Sequence, residues 1–142
     1  MDEWAATRGC SEVVAQIGES NYRAKTISTY KYIRPVDFER MQREASLLVG
    51  HAGMGTILGA LEFGKPLIIM PRLARYGEHR NDHQLATTRH FSSKAGIYIA
   101  DSAETMGELL DKREILSAAA NRITPHASPN LIQALSKFIH EE

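Results

Sequence analysis

The sequence predicts an α/β fold in which a parallel sheet is covered by helices on both faces. Short, nearly continuous apolar runs recur at Glu12–Ile17, Leu47–Val49, Leu67–Met70 and Ile97–Ala100, the pattern of strands buried on both sides. Segments of helical spacing separate most of them, and alternation of strand and helix is the signature of parallel βαβ units. The turns from strand to helix are marked by glycine and proline, which fix their positions along the chain.

Met1–Arg8 reads as the end of a helix, with Trp4 and Ala5 on its apolar side. Glu12–Ile17 is a β-branched run closed by Gly18, a buried strand. Thr26–Ile33 alternates more loosely and forms a second strand, which Pro35 stops. Phe38, Met41 and Ala45 then recur at helical spacing, so Val36–Ala45 is an amphipathic helix. Leu47–Val49 leads into Gly50-His51-Ala52-Gly53-Met54-Gly55-Thr56, and the helix that follows runs to Phe63, with Gly64 at its C′ position. Pro66 opens the most apolar strand, Leu67–Met70, and Pro71 ends it. After the polar connection Arg72–Arg80, a helix spans Asn81–Lys94 up to Gly96, and Ile97–Ala100 is a strand. Asp101 and Glu104 form a capping box for a helix carrying Met106, Leu109 and Leu110. Ser128 and Pro129 supply an N-cap and an N1 proline for a last helix with Leu131, Leu135 and Phe138 on one face. The layout is Rossmann-like, and ligands of such sheets bind beyond the carboxyl ends of the strands.

The 142 residues fit one domain, 1–142. Lys plus Arg and Asp plus Glu both number 17, which argues against a duplex nucleic-acid binder, since that needs surplus cations against phosphates. The single Cys10 excludes an internal disulfide and fits a reducing cytoplasm. No apolar run is long enough to span a bilayer, so membrane contact is expected only through a partner.

Two strand-to-helix loops carry the chemistry. In Gly50–Thr56, glycines let the backbone approach a ligand closely, and the first helical N–H groups with the helix dipole favour a diphosphate. Thr56 either caps the helix or donates its hydroxyl to the anion. The loop is neither a Walker motif nor GxGxxG, and a tight turn needing glycine only for its dihedral angles is the competing reading. His51 either hydrogen-bonds a ligand or satisfies local backbone. The second loop, Arg72–Gln84, is dense in donors and acceptors, which suits a sugar. From composition alone, a solvated surface loop is the favoured reading. His79 and His83, at i and i+4, raise a metal pair, but no third ligand stands at a matching distance, so neither metal nor cofactor is expected.

Taken together, HAGMGT (51–56) and GKPLIIMPRLARYGEHRNDHQ (64–84) resemble the C-terminal domain of glycosyltransferase family 28. The likeness runs from Asp2 to Ala100 and is strongest over Gly50–Gln84. It is nearest to the small donor-binding subunit of two-subunit enzymes, the PssE type of bacterial exopolysaccharide synthesis, related to the dolichol-linked N-acetylglucosaminyltransferase of eukaryotes. The resemblance implies the donor-binding half of a GT-B glycosyltransferase, a hexosyltransferase subunit that binds a UDP-sugar and is active only with a membrane-associated subunit holding a lipid-linked saccharide acceptor. It places the protein in the cytoplasm, peripheral to the membrane through that partner.

By matching position, the resemblance implies that Gly53, Met54, Gly55 and Thr56 cradle the diphosphate. His51 would stand near the reacting sugar as the candidate catalytic residue, and His83 and Gln84 would bond the sugar hydroxyls. Glu78, His79 and Asn81 match the longer loop of the exopolysaccharide subfamily. The chain departs from its relatives in two places. Many carry a ribose-binding glutamate where Gly59 stands, with Glu62 one turn on. The usual first strand is lacking, so the sheet is expected to leave backbone groups unpaired or to close by another pairing, such as a second copy in a homo-oligomer. A non-catalytic nucleotide-sugar-binding or regulatory module is the alternative function.

Overall fold

The computed structural model describes residues 1–74, 77, 83–118, 122–124 and 126–140. Helix α1 (Asp2–Arg8) comes first, followed by strands β1 (Val14–Gln16) and β2 (Ser28–Tyr30) and helix α2 (Pro35–Glu44). Next stand β3 (Leu48–Gly50), α3 (Met54–Phe63), β4 (Leu67–Ile69), α4 (His83–Phe91), β5 (Ile97–Ile99), α5 (Ala103–Asp111) and α6 (Pro129–His140), with a 3-10 turn over Arg113–Ile115. All strand pairing is parallel. The order is as the sequence predicts, with shorter strands.

The strands form two sheets, β1-β2 and β3-β4-β5. β4 is the middle of the second, and its three residues Leu67, Ile68 and Ile69 are completely buried. Alternation of side chains sends Leu67 and Ile69 into a cluster with Ile57, Ala60, Leu61 and Ile97. Ile68 faces the opposite way, against Ala100, Met106 and Leu110. Each such side chain contributes about 1.5–3 kcal/mol by leaving water. The continuous apolar run at 67–70 is thus what a strand with helices above and below requires.

In β1 and β3 alternate peptide groups turn away from the paired strand. Ser28 donates to the Val13 carbonyl and Ile17 to that of Tyr30, so the peptide groups of Val14 and Gln16 turn away from β2. On β3, Leu48 donates to Pro66 O and Gly50 O accepts from Met70, which turns the peptide of Val49 away from β4.

α1 ties the two parts together. The buried Asp2 carboxylate accepts from the N–H groups of Lys25, Thr26 and Ile27 and from Tyr22 Oη, which fixes the chain entering β2. At its other end, Trp4 Nε1 and Arg8 donate to the Asp111 carboxylate at the close of α5, and the Arg113 guanidinium lies over the Trp4 ring. The backbone N–H groups of Lys25 and Thr26, followed by Tyr22 Oη and Ile27 N–H, hold the Asp2 carboxyl well below the usual carboxylate range. Arg8 and then Trp4 lower that of Asp111 to about 2.

One local reading changes, and two helices leave apolar residues exposed. Ser102, not Asp101, caps α5: its side chain accepts from Thr105 N–H, while Asp101 Oδ1 accepts from the Thr105 hydroxyl. α2 buries no residue fully and leaves Phe38 exposed, because it meets α3 through Gln42 over Gly59 and Arg43 over the Phe63 ring rather than through an apolar stripe. α6 begins at Pro129 with Ser128 Oγ accepting from Leu131 N–H, yet Leu131, Leu135 and Phe138 are exposed.

Candidate functional site

A cleft of about 570 Å³ lies at the carboxyl ends of β3, β4 and β5. Val49, Gly50 and His51 line it from β3, and Met70, Pro71, Arg72 and Leu73 continue the wall beyond β4. Asp101, Ser102, Ala103 and Met106 close it beyond β5. It occupies the position at which a parallel α/β sheet binds ligands.

The glycine loop borders this cleft. Gly50 ends β3, and a side chain there would press on Thr56, whose Cγ2 stands 2.8 Å from the Cβ position. The chain then folds tightly, Gly53 N–H donating to His51 O at 2.8 Å. At Gly53 a Cβ would stand 2.5 Å from His51 Nε2, so any side chain here displaces the imidazole seated over it. Gly53 is the N-cap of α3 and Ile57 N–H returns to its carbonyl. Among the described residues no side chain caps the helix, and the N–H groups of Met54, Gly55 and Thr56 have no intrahelical acceptors. At Gly55 a Cβ would meet nothing within 4 Å. The loop therefore offers a row of amide donors at the positive end of a ten-residue helix, with open space above the middle one.

Gly59 faces α2. A Cβ there would be 3.3 Å from Gln42 Nε2, so α2 packs closely over this position. Glu62 is half-buried one turn further along.

Of the second loop, the structure describes the two ends. Arg72 is exposed on the cleft wall, and Gly77 takes the left-handed conformation. Gln84 is buried, and its Oε1 accepts from Arg72 N–H at 2.8 Å. Glu78, His79 and Asn81 lie outside the described residues, as does the side chain of His83, whose backbone opens α4. The structure thus brings His51 and the Arg72 end of the second loop to one cleft, beside the amides of residues 54–56. Sequence reasoning missed Asp101 and Ser102 as cleft residues. Their signal was position: they follow the third strand of the same sheet. Among the described residues no group of three or more His, Cys, Asp or Glu could hold a metal ion, and no helix is long and apolar enough to cross a membrane.

With this geometry in view, comparison with known proteins decides the family: the glycosyltransferase family 28 C-terminal domain matches residues 1–140. The chain belongs to that family. Its fold is also that of the crystal structure of the glycotransferase of kitacinnamycin, with a TM-score of 0.55 at 15% identity. The match covers 99% of this chain and 33% of the other, so this family 28 domain spans about a third of the glycosyltransferase it resembles. The cleft lies in the Rossmann-like C-terminal half of a GT-B architecture.

Proposed function

We propose that the domain binds the nucleotide-sugar donor of a UDP-sugar glycosyltransferase and works with a separate acceptor-binding subunit. One observation carries this: α3 starts at Met54 with no side-chain cap at Gly53, just after Gly50 and His51, which line a cleft at the carboxyl ends of three parallel strands. Amides and dipole at that helix start suit a pyrophosphate, and the volume of the cleft suits a small-molecule ligand. On the sugar side we place Glu78, His79, Asn81 and His83 by their order along the connection.

In the reaction, an acceptor hydroxyl attacks the anomeric carbon while the bond from that carbon to the β-phosphate oxygen breaks. The UDP oxygen takes the electron pair, and the helix amides stabilise the charge that develops there. The acceptor proton passes to a base. His51, at the end of β3 on the cleft wall, is the candidate in this chain. We assign the acceptor, a lipid-linked saccharide of exopolysaccharide synthesis, to a membrane-associated partner that brings the domain to the cytoplasmic face of the membrane. The transferred group is a hexose.

Calorimetric titration with UDP and UDP-glucose tests donor binding. Binding of both by the wild type, with a loss of about tenfold or more in Gly55→Val, supports the reading. Equal affinity in the variant removes the loop from the site. Turnover only after the acceptor-binding subunit is added supports transfer; binding without turnover in that mixture favours a regulatory module.

A further inference from the structure

We infer that Gln84 is a positioning residue of this donor site, holding the cleft wall by its side-chain oxygen. The inference rests on the donor-binding reading above and concerns how that cleft keeps its shape. Along the chain leaving β4, the last peptide N–H that the sheet satisfies is that of Met70, which donates to Gly50 O at 2.9 Å. Pro71 has no N–H to offer. Arg72 N–H is therefore the first donor beyond the sheet, and Gln84 Oε1 accepts it at 2.8 Å from the first turn of the helix Gln84 helps to open.

Gln84 is only 4% exposed and this hydrogen bond is partly buried, so removing its acceptor leaves the Arg72 peptide without the side-chain partner it has here. The four residues Met70 to Leu73 all line the cleft. One carboxamide thus closes the base of the connection between β4 and α4 and sets the course of that wall. With Oε1 engaged in this way, Gln84 acts on ligands through Arg72. The wall serves the whole cleft, so its loss weakens UDP and UDP-glucose alike, whereas a contact made only to the hexose weakens UDP-glucose alone.

Two variants separate these cases. Gln84→Met keeps the length and removes the acceptor. Gln84→Glu keeps an acceptor for Arg72 N–H and removes the side-chain NH2. Amide exchange at Arg72 is measured in all three proteins, with dissociation constants for UDP and for UDP-glucose. We expect Arg72 to be protected in the wild type and in Gln84→Glu, and to exchange about tenfold faster in Gln84→Met. Both dissociation constants should rise together by a similar factor in Gln84→Met and return close to wild type in Gln84→Glu.

An Arg72 amide unprotected in the wild type overturns the inference, as does a loss in either variant confined to UDP-glucose. If Gln84→Met does not fold, Gln84→Glu decides: wild-type affinity for both ligands sustains the positioning role and selective loss of UDP-glucose ends it. A wild type that binds neither ligand removes the donor reading and the positioning role with it. The exchange data then report separately whether the hydrogen bond exists.

Discussion

Gly53 and Gly55 stand two residues apart in one loop and are glycines for different reasons. The first lies under the His51 ring, 2.5 Å from Nε2 to the Cβ position, whereas a Cβ on the second would meet no described atom within 4 Å beyond its chain neighbours and its own helix backbone. Gly55→Val should consequently fold with a melting temperature close to wild type and lose UDP affinity, because the new side chain enters the space assigned to phosphate. Gly53→Val must move the imidazole as well, so it should shift the His51 ring resonances even without ligand. Unchanged His51 resonances in Gly53→Val would contradict the packing described. The sequence singled out these glycines together, since residue type and spacing cannot tell a close internal contact from room left for a ligand. Gly59 shows the same limit: its reason is Gln42 of α2, which no local pattern reveals.

At the scale of elements, boundaries were legible wherever local chemistry sets them. Gly64 ends α3 in the left-handed conformation, φ 63°, and Pro129 opens α6 after Ser128, both as turn and cap preferences dictate. The cap of α5 was misplaced by one residue because Asp101 and Ser102 are both good caps, and only geometry shows which accepts the Thr105 amide. Ser102→Ala should therefore cost about 1 kcal/mol in chemical denaturation. Asp101→Ala should cost less, since it removes a contact to a hydroxyl. The attachment of α1 is electrostatic and predicts a pH dependence. The carboxyls of Asp2 and Asp111 are lowered in the folded state, Asp111 from 3.8 to about 2. Their contribution is complete above the unfolded value near 4 and is lost as pH falls through the folded value. The melting temperature should fall between about pH 4 and pH 2, and less steeply in Asp2→Asn and Asp111→Asn. A slope unchanged in both variants would contradict this attachment.

For the whole molecule, the deciding feature is β4, buried on both faces between two clusters. Leu67→Ala should lower stability by about 2–5 kcal/mol in denaturant unfolding. An exposed position such as Val36 should tolerate alanine with little change. The α/β class and the parallel order were readable from apolar runs, which report burial directly. The division into two sheets and the exposed face of α6 were not, because hydrophobic spacing shows that a face is apolar and says nothing about what covers it. The charged connection 72–84 was readable as a site only through likeness to relatives, since its composition also suits a solvated loop.

The most direct test follows the backbone amides by NMR while UDP is added. The account predicts saturable shifts concentrated at Met54, Gly55, Thr56 and Arg72, with smaller changes at Ser102 across the cleft. Shifts gathered on other surfaces, or none at millimolar UDP, would contradict it.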